Sequence, residues 1–99
     1  MPELAYVSRV TIYADKGMEG MLLEQVLALG AKGYTATDCT GVGQHGASPD
    51  PFLSSTQVRI EVITQPGPAK RILDYIKSLD GRPVTACVEP VQVFNSAHF

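Results

Sequence analysis

GYTATDCTGVGQHG, residues Gly33 to Gly46, changes character half-way along. Tyr34, Thr35, Ala36 and Thr37 alternate as a strand does, and their threonines favour the pleated conformation. Gly41, Gly43 and Gly46 then break the pattern ahead of Pro49 and Pro51, and a loop begins. Closely spaced glycines allow backbone N–H groups to converge on phosphate or carboxylate oxygens with no Cβ in the way. A long hairpin loop needs glycines for its turns as well, and turn chemistry alone does not choose between the two uses.

Working outward, the loop is expected over residues 41–56, longer than the roughly 12 residues above which a structureless connection in a small domain usually carries function. The strand after it, Val58 to Thr64, places Val58, Ile60 and Val62 on one face and Arg59, Glu61 and Ile63 on the other. Ahead of the quoted stretch, Tyr6 to Ala14 alternates in the same way, with Ser8, Val10, Ile12 and Ala14 opposite Val7, Arg9, Thr11 and Tyr13. Met18, Met21, Leu22, Val26 and Leu29 then follow helical spacing, with Asp15 a candidate cap and Gly30 a stop. Leu23 and Leu27 widen that apolar stripe, which points to cover on more than one side. Pro68 suits the first turn of a second helix whose stripe is Ala69, Ile72, Leu73, Ile76 and Leu79, ending near Gly81. A fourth strand runs from Val84 to Val88 and extends past Pro90 to Val93, and the tail over 95–99 is expected to be flexible.

The order strand, helix, strand, strand, helix, strand is that of an α+β, ferredoxin-like βαββαβ sandwich. Right-handed crossovers put both helices on one face of a four-stranded antiparallel sheet. The other face is mixed, and Val7, Tyr13 and Ile63 on it suggest a homo-oligomer. A chain of 99 residues, 44% hydrophobic, supports one domain with one modest core.

The net charge of −2, with no basic run, gives no nucleic-acid surface. Three phenylalanines and four tyrosines form no paired stacking platform for RNA. No leader or membrane-length apolar run is visible, so the expected location is cytoplasmic. Cys39 and Cys87 lie far apart and are expected to be small core residues, a disulfide or shared metal between them being the alternative. His45 and His98 lack partners at metal-ligand spacing, and no nucleophile stands beside a base, so no metal site and no enzyme are expected.

With those residues in view, GYTATDCTGVG followed by VRIEVI from Val58 to Ile63 resembles the PII signal-transduction family. That family's pattern runs Gly, a bulky residue, Thr-Val-Thr, an acidic residue, Gly-x-Gly, and then a Val-Lys-Ile-Glu-Ile-Val strand after its T-loop. The resemblance implies a homotrimer that binds adenine nucleotides in clefts between subunits and moves the T-loop to engage partners. It places Thr35, Gly41, Gly43, Gln44, Glu61, Ile63 and Arg82 at nucleotide-binding positions. The family's second phosphate loop is reduced here to Asp80, Gly81, Arg82 and Pro83, and its pair of C-terminal arginines is missing, which favours ADP or AMP over ATP.

The T-loop is shorter than in nitrogen-sensing members, and Gln44 and His45 stand where their modified-tyrosine segment and effector-holding glutamine would be. The chain is more similar to PII-like proteins associated with carboxysomes and bicarbonate transporters, although it lacks the C-terminal CGPxGC motif of some of them. A bicarbonate transporter or carboxysome component is then the implied partner. Bicarbonate is a small planar anion that a guanidinium binds bidentately, which makes Arg59 the candidate clamp, with Gly41 amides and the Ser54 hydroxyl as further donors. Arg59 could equally pair with Glu61 or Asp38 on the exposed face. Two other functions compete: a domain of the same fold that senses an amino acid or another anion, and a slow nucleotide phosphatase using Asp38 or Asp50.

Overall fold

The computed structural model describes residues 3–41 and 56–99. Strand β1 (Ala5–Asp15) runs through a 3-10 turn (Lys16–Met18) into helix α1 (Glu19–Ala28). Strands β2 (Thr35–Cys39) and β3 (Gln57–Thr64), helix α2 (Pro66–Lys77) and strand β4 (Val84–Val93) follow, and a second 3-10 turn (Ser96–His98) ends the chain. The sheet is four-stranded, antiparallel throughout and ordered β2-β3-β1-β4, the ferredoxin-like arrangement.

Directly opposed residues of antiparallel strands share a face, so the register assigns every side chain. Val10, Ile12 and Ala14 of β1 lie beside Val58, Ile60 and Val62 of β3 on the helix-covered face. Leu22 and Val26 of α1 and Ala69, Ile72 and Ile76 of α2 close over them, all in one buried cluster. A fully buried aliphatic side chain contributes about 1.5–3 kcal/mol, so this face is where the stability resides. Leu27, by contrast, is 46% exposed.

Helix α1 ends in a Schellman turn. The Ala31 N–H donates to the Val26 carbonyl at 3.2 Å and the Gly30 N–H to that of Leu27 at 3.1 Å, with Gly30 at φ +114°. Arg71 Nε donates to the Leu29 carbonyl at 3.0 Å, tying α2 to the end of α1. A Cβ on Gly30 would sit 2.9 Å from Arg71 Nη2 and 3.3 Å from Pro68 Cγ. Gly30→Ala is therefore expected to destabilise the chain by about 1–3 kcal/mol, seen as a lower urea midpoint at unchanged slope.

Three expectations are corrected here. Asp15 precedes the 3-10 turn without a side-chain capping hydrogen bond, and its amide donates to the Pro83 carbonyl at 3.2 Å. Pro68 does fall in the first turn of α2, which Pro66 opens at a position where a missing N–H costs nothing. Cys87 is exposed and Cys39 half-buried, on edge strands separated by two others, so they neither enter the core nor bond to each other. The tail is folded back: Gln65 Nε2 donates to the Ser96 carbonyl at 3.1 Å, Lys32 Nζ donates to the Ala97 carbonyl at 3.3 Å, and the turn packs against β1.

Candidate ligand site on the open sheet face

The face without helices carries Arg9, Thr11 and Tyr13 of β1, Arg59, Glu61 and Ile63 of β3, and Thr35 and Thr37 of β2. Thr35 stands opposite Glu61, and Thr37 opposite Arg59. Arg9 lies between Ile63 and Glu89. Its Nε donates to Glu89 Oε1 at 2.9 Å. That hydrogen bond, with the charge behind it, pushes the Arg9 pKa further above its ordinary value.

Thr35, Glu61 and Ile63 line one pocket of about 280 Å³, together with Lys32, His98 and Phe99. Next along β3, Arg59 Nε lies 3.2 Å from Glu61 Oε1, both side chains being partly open to solvent. Residues two apart on a strand share a face, and this contact follows from the pleat. An exposed pair of this kind adds little stability and yields readily to a competing anion.

The strand continues to the base of the 41–56 loop. Gln57 Nε2 is 3.5 Å from the Gly41 carbonyl, and the Lys16 N–H donates to the Thr56 carbonyl at 2.9 Å. Lys16 Nζ lies 2.9 Å from Glu19 Oε1 and also bonds Asp38. Those hydrogen bonds, Asp38 first, raise its pKa and keep it charged to higher pH than a free lysine.

Of the residues singled out in the sequence, Thr35, Glu61, Ile63 and Arg59 are brought together, and Gly41 closes the same stripe. Arg82 is placed apart, in the turn between α2 and β4, where it lines a separate pocket of about 570 Å³ with Leu73, Ile76 and Leu79. Gly43, Gln44 and Ser54, and with them most of the expected loop, lie outside the described residues. Among the described residues no group of His, Cys, Asp and Glu could hold a metal, and no helix is long and apolar enough to cross a membrane. Sequence reasoning missed Lys32, which precedes β2 outside any motif, and His98 and Phe99, whose tail has neither periodicity nor a motif and reaches the pocket only through tertiary contacts.

The profile of the nitrogen regulatory protein P-II family matches residues 7–94. The chain belongs to the P-II family. Among solved structures, a PII-like signaling protein from Thermus thermophilus is 33% identical over 98% of each chain, with a TM-score of 0.80. CPII from Thiomonas intermedia, bound to ADP and bicarbonate, superposes with a TM-score of 0.86 over 100% of this chain and 99% of its own, at 17% identity. The B. subtilis GlnK–ATP complex is more distant, with a TM-score of 0.64 and 16% identity over 87% and 82% of the two chains. At those identities the last two speak for the fold alone. No curated protein sequence matches. The chain is thus a PII-like signalling protein, of a family whose role is regulatory.

Proposed function

We propose that this PII-like protein senses ADP or AMP together with bicarbonate, and reports energy and inorganic-carbon status through its 41–56 loop. The observation that carries this reading is the layout of β3. Its open face presents a small pocket at Glu61 and Ile63, a guanidinium at Arg59 and then the loop base. The base of an adenylate fits the pocket, with Thr35 and the Glu61 carboxylate as hydrogen-bonding groups. About 13 Å of strand, four residues at 3.3–3.4 Å each, leads from Glu61 to Gln57 and carries ribose and phosphates toward Gly41. Gly41 and Gly43 amides, Gln44 and, from a neighbouring copy in a homotrimer, Arg82 supply further phosphate donors.

Arg59 takes bicarbonate bidentately, helped by Gly41 and Ser54. Glu61 is the link between the two ligands: it faces the base on one side and holds Arg59 on the other. An adenine amino group bonded to Glu61 loosens the guanidinium for the anion, and by linkage bicarbonate changes adenylate affinity by the same factor. That CPII of the same fold was solved with ADP and bicarbonate supports the choice of ligands. A cytoplasmic bicarbonate transporter domain or carboxysome component is the partner this chemistry suits.

Isothermal titration of ADP and AMP, with and without about 50 mM bicarbonate, tests the reading at a concentration that saturates a weak anion site. The expected result is adenylate binding whose affinity shifts with bicarbonate. Adenylate binding indifferent to bicarbonate would reduce the protein to a nucleotide sensor, and no adenylate binding would overturn the proposal.

A further inference from the structure

The geometry points to Phe99 as a base-recognition residue, with the folded-back C-terminal turn forming one wall of the adenylate pocket. This rests on the function proposed above and adds to it a segment outside the strand and loop residues. The pocket that Thr35, Glu61 and Ile63 line is completed by His98 and Phe99. Ile63 supplies an apolar surface, Phe99 an aromatic one, and Glu61 and Thr35 polar atoms beside them. A half-buried aromatic ring in a pocket with two polar groups is the setting in which a flat heteroaromatic base stacks while its edge is read by hydrogen bonds. At about 280 Å³ the space falls just below the roughly 300–1,000 Å³ usual for ligand pockets, which suits a base with the rest of the nucleotide outside.

The wall is held in place by contacts from distant parts of the chain. Lys32, at the entry to β2, donates to the Ala97 carbonyl, and Gln65, at the start of α2, donates to that of Ser96. Within the turn, the Phe99 N–H donates to the Ser96 carbonyl at 3.1 Å and the His98 N–H to that of Asn95 at 2.9 Å. Asn95 Nδ2 donates to His98 Nδ1 at 3.3 Å, which leaves Nε2 as the ring's free hydrogen-bonding atom. Gln65 spends its amide on the tail rather than on capping α2.

The test compares ADP and AMP titrations of the wild-type chain with Phe99→Ala and Phe99→Leu, the latter keeping apolar bulk without the aromatic face. Phe94→Ala serves as a control, because Phe94 is 66% exposed and does not line the pocket. Loss of a base–aromatic stack is expected to weaken both nucleotides about 5- to 100-fold, and by the same factor, since the base is common to them. Phe99→Leu falls between Phe99→Ala and wild type, Phe94→Ala matches wild type, and circular dichroism is unchanged throughout. Wild-type affinity in both Phe99 variants would overturn this inference and leave the adenylate reading standing. Failure of the wild-type chain to bind adenylate would overturn both.

Discussion

Replacing Ile60 by alanine is expected to remove about 2–5 kcal/mol of stability, the range for truncating a large aliphatic side chain in a closed core. Ile60 is fully buried, on a strand flanked by β2 and β1, under both helices. A total of about 5–15 kcal/mol is usual for a domain, so the loss takes a large share of what holds the chain together. Urea unfolding should show a much lower midpoint at unchanged slope. Residual folded protein should still bind adenylate with its normal dependence on bicarbonate, because Ile60 faces away from the open side of the sheet. A loss of less than about 1 kcal/mol would mean that the space above β3 collapses around the missing atoms.

The neighbouring position should behave in the opposite way. Arg59→Ala is expected to leave the urea midpoint nearly where it was, since its pair with Glu61 is solvent-exposed. Its effect falls on the ligands. A charge-assisted hydrogen bond contributes about 1.5–3 kcal/mol, so bicarbonate should bind at least tenfold more weakly and cease to alter ADP affinity at accessible concentrations. ADP titrations of the variant with and without bicarbonate should superimpose. Full retention of the bicarbonate effect would exclude Arg59 as the clamp and shift attention to the loop glycines. One strand thus carries two independent readouts, stability on its even-numbered residues and ligand response on its odd-numbered ones.

The alternation that makes this separation was legible in the sequence, and so was the fold. Val58 to Thr64 and Tyr6 to Ala14 alternate cleanly, the helix stripes keep a spacing of three and four, and the element order leaves few topologies open. The grouping of Thr35, Glu61 and Ile63 was implied by the family resemblance, and the pairing of β2 with β3 sets Thr35 directly opposite Glu61. What alternation could not reveal is what covers each face. Val7 lies on the open face, opposite Val91, yet is only 2% exposed. The turn that packs on β1 comes from a tail whose composition carries no signal. Its position is fixed by Lys32 and Gln65, through hydrogen bonds spanning 65 and 31 residues of chain. The cysteines were misjudged for a related reason: small size suits them to a core, but both fall on edge strands, where burial depends on neighbours outside the chain.

The amides of residues 15 and 16 bind two separate carbonyls, those of Pro83 and Thr56. The far end of the 41–56 loop and the turn bearing Arg82 are therefore fastened to adjacent links of one backbone, at the point where β1 gives way to the 3-10 turn. The two amides belong to consecutive peptide units joined at the Asp15 Cα, so the attachments lie one residue apart in the chain. Hydrogen exchange at the Asp15 and Lys16 amides would therefore report on the two attachments separately, from neighbouring residues.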